Sequence, residues 1–306
     1  MVRYTLRQLA YFVAVADAGT IAAAADELHV SQTAVAAALK ELERIFGTQL
    51  TVRRKAHGVS LTPAGRQLHA RAAAFLREAE ELELSTSSGG GELAGPLVVG
   101  CYLTLAPTIL PGLLEFFATE HPKVQLDFVE GTQDAVQEKL VAGELDLAIV
   151  YDMDLRPGLE SVQLDTMQAY ALLPAGHRLA GRDAVALAEL AEEPMILLDA
   201  PPSSHHTMSV FRDASVVPKI RYRTTDFELT RSLVGRGIGY SVLVQRPAGD
   251  ATYEGRPFTA LPIEPAVRPV DVKIVWPEGI RLTDRAAEMV RFAVEAHAPR
   301  RGGSGR

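Results

Sequence analysis

The spacing of apolar residues divides the chain into regions of different period. Leu6, Leu9, Phe12, Val13 and Ala16 predict a first helix from about Thr5, closed by Gly19. Ala24, Ala25 and Leu28 form a short apolar stripe, and Val35, Leu39, Leu42 and Phe46 recur at steps of 4, 3 and 4, one face of a second helix. Between the stripes His29, Val30 and Ser31 leave room for a turn. Ser31 is a good N-cap, so the later helix starts near Gln32. Two short helices with small residues at their crossing describe a helix-turn-helix, although an ordinary helical hairpin in a core shares the period. Ser31, Gln32 and Thr33 then stand where base edges and phosphates are met. Arg53, Arg54 and Lys55 follow, with a turn at Gly58 and a short strand Val59-Ser60-Leu61: a basic wing suited to gripping phosphates.

From Pro63 to Leu84 the chain favours helix, with proline in the first turn, where its missing N–H costs nothing. Leu68, Ala72, Phe75, Ala79 and Leu82 repeat at 4, 3, 4 and 3, a coiled-coil-like seam that suits a partner helix or the chain's own core. The run from Ser85 to Gly91, all Ser, Thr and Gly, reads as a flexible linker. After it strands and helices alternate, which indicates a parallel α/β sheet. Strands are expected at 96–100, 124–131 and 145–150, then at 167–173, 195–200, 219–224 and 238–243. A strand at 270–276 and a closing helix at 282–298 return at the end, before a disordered tail at 299–306.

Composition sharpens this picture. No run reaches 18 apolar residues and the N-terminus has no cleavage site of secretory type, so a cytoplasmic protein is expected, with no membrane partner. The net charge of −7 hides an asymmetry: residues 1–77 hold ten Lys/Arg against five acids, leaving −12 for the remainder. A cationic front on an acidic body suits a nucleic-acid-binding module joined to a separate domain. Cys101 is the sole cysteine, which excludes an intrachain disulfide and suggests a buried thiol.

These residues resemble the LysR-type transcriptional regulators. The matching text is Leu6-Arg7-Gln8-Leu9 with Phe12 and Ala14-Val15-Ala16, Ala23-Ala24 with Leu28, and Val30 through Val35. Leu39, Leu42-Glu43, Phe46-Gly47, Leu50, Arg53 and Leu61-Thr62-Pro63-Ala64-Gly65 continue it. Ala36, Ala37 and Ala38 depart from the Ser and polar pair usual there, and Thr51 replaces an aromatic, so readout leans on Gln32, Thr33, Lys40 and the wing. The resemblance implies a fold of an N-terminal winged helix-turn-helix (1–62), a dimerising linker helix (63–86), a flexible linker (87–95) and an α/β effector region (96–298). The last is shaped like periplasmic solute-binding proteins, with one subdomain at 96–162 and 268–298 and the other at 163–267. It also implies partners: double-stranded operator DNA, a small-molecule effector, and further copies as a homodimer or homotetramer.

Ligands in open α/β sheets sit beyond the strand ends, where helix N-termini offer unpaired N–H groups. Junctions at Cys101–Thr104, Gly131-Thr132, Pro202–Ser204 and Thr224–Asp226 fit, though plain N-capping explains each alone. By the resemblance, Cys101, Tyr102, Thr104, Tyr151, Ser203, Thr225 and Asp226 are the candidate effector residues, and helix N-termini suggest an organic acid. His205 and His206 are adjacent, not spaced as a metal pair, so no metal and no cofactor is expected. Gly235–Gly239 runs in the wrong order for a dinucleotide loop, and no triad or carboxylate pair can be placed. An enzyme is not indicated. A small-molecule binding protein without specific DNA readout is the alternative.

Overall fold

The computed structural model describes residues 3–54, 58–87 and 92–297. Helix α1 (Leu6–Ala18) opens on a capping box between Thr5 and Gln8 and closes at Gly19 in the left-handed region. It bends 120° into α2 (Ile21–Glu27), and Leu28, His29 and Val30 turn the chain into α3 (Gln32–Phe46). The turn is held by Val30 N donating to Ala25 O at 2.9 Å. Ala24 and Ala25 are buried at the crossing, where a larger side chain would hold the helices apart. Strands β1 (Thr51–Arg54) and β2 (Gly58–Leu61) form an antiparallel wing, anchored by Val59 N donating to Gly19 O at 2.7 Å. Thr51 is buried, and both its hydroxyl and its N–H donate to Glu43 Oε1, a polar bracket beneath the wing.

Helix α4 (Pro63–Ser87) extends beyond the sequence expectation: Ser85–Ser87 are helical, and the rest of the supposed linker, Ser88–Gly91, lies outside the described residues. Its seam is split between roles. Ala72 joins the head's core with Leu68 and Leu76 beside it, whereas Phe75 (47 % exposed) and Leu82 (68 %) face outward.

Strands β3 (Gly95–Tyr102), β4 (Val124–Gly131) and β5 (Leu147–Tyr151) alternate with α5 (Ala106–Glu120) and α6 (Gln133–Ala142). Next come β6 (Leu159–Met167), β7 (Tyr170–Pro174), α7 (Leu187–Leu190), β8 (Pro194–Leu198), α8 (Ser203–Asp213), β9 (Lys219–Thr224) and α9 (Phe227–Gly235). The chain ends with β10 (Ser241–Leu243), β11 (Phe258–Pro262), β12 (Val270–Pro277) and α10 (Asp284–His297). The first sheet has the order β4-β3-β5-β12-β6. Its β3 pairs are parallel, but β12 runs antiparallel to both β5 and β6. The sheet is therefore mixed and not wholly parallel, because strand-helix alternation orients chain neighbours and says nothing of a strand returning from far away. Leu147 and Ile149 of β5 join one core and Ala148 and Val150 another, so this central strand is buried on both faces.

The second subdomain holds the antiparallel sheet β10-β7-β11 and the parallel pair β8-β9, linked by a bridge between Met195 and Tyr240. β6 stays in the first sheet through Met167, beyond residue 162, where the crossover was expected. β6 and β11 gave no usable sequence signal, since β6 is an edge strand in which Leu164 alone is buried and β11 is short.

The α4 helix also docks onto the effector region. Gly143, in the left-handed region after α6, lies so close to α4 that a Cβ would come within 2.9 Å of Ala70 Cα. Arg77 Nε pairs with Asp146 Oδ1 at 2.7 Å, and its Nη1 donates to Gly143 O at 3.0 Å. His69 is buried between Asp17 Oδ1, 2.8 Å from Nε2, and Ala142 O, 2.7 Å from Nδ1. Both partners are acceptors, so only the doubly protonated ring donates to both. Burial opposes that charge, but the Asp17 carboxylate, helped by the Ala142 carbonyl and Glu144, outweighs it and raises the pKa. A raised folded-state pKa stabilises the junction below the unfolded value and loses that contribution as pH rises through the folded value. Protection of α4 amides from hydrogen exchange is expected to fall as pH rises above the ordinary histidine value of about 6.5, and His69→Gln should flatten that dependence.

Candidate functional site

At the head, the Ser31 hydroxyl accepts from Ala34 N at 3.2 Å and so caps α3, which leaves its proton free to donate outward. Gln32, Thr33, Ala37 and Lys40 are exposed, and the last three follow one another at helical spacing along one face. The three alanines separate in role: Ala38 is buried in the head's core, Ala36 is half-buried, and Ala37 alone is fully on the exposed face. Arg53 and Arg54 stand in β1 opposite Val59 and Gly58. Lys55 lies outside the described residues.

Between the two effector subdomains is a small, partly open cavity of about 10 Å³, room for one water-sized molecule. Thr104, Tyr151 and Ser203, all singled out from the sequence, meet there. Leu198, Thr207, Phe227 and the run Val242–Gln245 complete the lining. Of these, Gln245 had one local mark, a polar residue ending the apolar run Val242–Val244. Tyr102 acts from behind: its buried hydroxyl donates to Ala200 O at 3.0 Å and lies 3.1 Å from Ser203 Oγ, tying the subdomains together. Burial raises the pKa of Tyr102, only partly offset by its bonds with Ser203, and burial likewise raises that of Tyr151, so both phenols are neutral at physiological pH. Gln133 holds the Tyr151 backbone, accepting from its N–H at 2.9 Å and donating to its carbonyl at 3.2 Å.

Besides Tyr102, three of the candidate effector residues do not line this cavity. Thr225 and Asp226 are exposed, and Asp226 instead caps α9 by accepting from Leu229 N at 2.6 Å. Short polar residues at a strand-to-helix junction serve capping and ligand binding equally well, and only the packing of Phe227 inward separates the two. Cys101 is fully buried in β3, and burial, reinforced by Glu130, pushes its thiol pKa well up. It is an inert core thiol. His205 pairs with Asp154 at 2.8 Å, and burial lowers the pKa of His206. Among the described residues no group of His, Cys, Asp and Glu could hold a metal, and no single helix is long and apolar enough to cross a membrane.

The two halves have known counterparts. Residues 6–66 match the family described as bacterial regulatory helix-turn-helix protein, lysR family, and residues 90–298 match the LysR substrate binding domain. The chain is 27 % identical over 299 residues to the DNA-binding transcriptional dual regulator OxyR of Escherichia coli K12, covering 95 % of this chain and 96 % of that one. The solved structure of HinK, a LysR family transcriptional regulator from Pseudomonas aeruginosa, is 36 % identical over 95 % of this chain and 98 % of that one, with a TM-score of 0.64. A full-length OxyR cysteine-to-aspartate variant from the same species is 26 % identical, with 97 % of each chain covered and a TM-score of 0.78. With a helix-turn-helix head that leaves one face of α3 open to solvent and a two-subdomain body enclosing a small cavity of mixed polar and apolar lining, the chain belongs to the LysR family of DNA-binding transcriptional regulators with an effector-binding domain.

Proposed function

We propose that this regulator reads its operator through Gln32, Thr33 and Lys40 of α3 and grips flanking phosphates through Ser31 and the wing residues Arg53, Arg54 and Lys55. The exposed N-terminal turn of α3 carries this reading: its polar side chains stand clear of the core while the apolar face is packed on α1. A small-molecule effector held between the subdomains changes how the heads are spaced in a homo-oligomer. The outward Phe75 and Leu82 of α4 suit pairing of two copies. The chain divides into a head (1–62), the α4 helix (63–87) and an effector region whose second subdomain spans 168–269. It works in the cytoplasm as a regulator and not as an enzyme. Peroxide sensing, which OxyR-type relatives named hydrogen peroxide-inducible genes activators suggest, is not extended to this chain, because its sole cysteine is buried and held protonated.

The test is a salt titration of binding to the DNA upstream of its own coding region against a scrambled duplex. The native duplex should bind more tightly at physiological salt. Gln32→Ala should erase about 1–3 kcal/mol of that preference and leave the salt slope unchanged. Arg53→Ala with Arg54→Ala should lower the slope by about 2 on both duplexes. Equal affinity for the two duplexes would sink the sequence-specific reading.

A further inference from the structure

Gln245 is 4 % exposed and lines the cavity between the subdomains. The Thr108 hydroxyl donates to Leu105 O at 3.0 Å, so its oxygen can only accept from Gln245. That fixes the amide: Nε2 lies 2.5 Å from Thr108 Oγ1, and Oε1 is left buried without a donor. The Thr104 hydroxyl, on a residue 5 % exposed, lies beside the Tyr102 and Tyr151 phenols without an aligned partner, and it can donate as well as accept. Ser203 adds a further acceptor. Because the Tyr102 proton is committed to Ala200 O, the Ser203 hydroxyl donates to the Tyr102 oxygen and turns only lone pairs elsewhere. None of the residues lining the cavity is charged at neutral pH, and the Tyr102 hydroxyl occupies the space at the start of α8 where an anion would sit.

Granted the effector cleft proposed above, we propose that its ligand is a small uncharged molecule that donates a hydrogen bond to Gln245 Oε1, such as a primary amide or an alcohol, and not a simple carboxylate. A carboxylate has no hydrogen to give the Gln245 oxygen and would be buried with no cation beside it. An N–H or O–H donor satisfies the oriented Gln245 oxygen, while Phe227 and Leu198 cover the apolar part. This replaces the organic acid that helix N-termini alone suggested. At about 10 Å³ the cavity admits such a ligand only as the subdomains part, which links occupancy to their relative position.

Three ligands of equal size separate the possibilities: propionamide, neutral with a donor; methyl acetate, neutral without one; and propionate, charged without one. Thermal unfolding of the full-length protein is followed with each, and operator binding is measured in parallel. At about 50 mM, propionamide should raise the melting midpoint by about 2 °C or more, with the other two below half that shift. Gln245→Met should cancel the amide's advantage. Because the comparison is made on the unaltered protein, it stands even where that variant fails to fold. Equal or greater stabilisation by propionate or methyl acetate, or no stabilisation by propionamide, overturns the ligand class. Operator binding that persists in that case leaves the regulator reading intact, and its absence counts against that reading alone.

Discussion

Gly65→Ala is expected to abolish operator binding while the effector region stays folded. Gly65 lies in the first turn of α4, and a Cβ there would come within 2.0 Å of Leu50 O and 3.0 Å of Leu50 C. Leu50 cannot retreat. Its N–H donates to Glu43 Oε1 at 2.9 Å, its carbonyl accepts from Thr62 N at 3.0 Å, and its side chain is buried in the head's core. The first turn of α4 must move instead, and Thr62, whose hydroxyl accepts from Gly65 N at 2.9 Å, moves with it. Overpacking usually costs 1–3 kcal/mol, and a clash with pinned backbone puts this substitution at about 3 kcal/mol or more. A small helical head with a few kcal/mol of stability then unfolds in part. Gly112 is the control: it is exposed within α5, with nothing within 4 Å of the added carbon. There alanine should stabilise by about 0.5–1 kcal/mol through helix propensity. Denaturant unfolding and operator binding of the two variants distinguish a steric cause from a general effect of losing glycine, and equal behaviour would refute the contact with Leu50.

Arg77→Ala carries the second large effect, the uncoupling of the head-bearing helix from the effector region. Its partner Asp146 is nearly buried, with 7 % of its side chain exposed, and keeps only the Val98 N–H at 2.8 Å once the guanidinium is gone. Gly143 O loses its Arg77 donor as well. Removing one member of a fully buried pair costs 3–5 kcal/mol, and the partial exposure of Arg77 reduces this to about 2–3 kcal/mol. Arg77→Lys should recover part of the loss, since it keeps the charge but cannot hold both Asp146 and Gly143 with one fork. Hydrogen exchange along residues 69–77 is the readout, and exchange in Arg77→Ala matching the unaltered protein would show that the docking does not depend on this pair. The same junction contains His69, so an ion pair, a histidine and a close backbone approach on one face of α4 join the head-bearing helix to the effector region.

The head was legible in the chain because its determinants are local. Thr5 with Gln8, Ser31 and the glycines 19 and 47 are caps that act within one turn of the residues they serve, and helical periodicity identified Val35, Leu39 and Leu42 as core. The candidate site was legible in part. Thr104, Tyr151 and Ser203 lie at strand ends, a position that order along the chain reveals, and they meet at the cavity. Asp226 has the same local signature yet is exposed and serves as a cap, and Gln245, whose acceptor lacks a donor, reaches the cavity from the end of an apolar run, a mark that does not by itself separate a ligand contact from an ordinary strand end.

By itself, the sequence determined the helix-turn-helix, the basic wing, the long helix after it and the two-part α/β body. Each of these rests on periodicity, capping and charge, which act over a few residues. Tertiary structure alone decided the antiparallel return of β12, the crossover after Met167, the burial of Ala38 against the exposure of Ala37, and the docking of α4 through His69 and Arg77. Those features join residues far apart in the chain, and whether a given side chain meets a partner or solvent there depends on how separate elements pack.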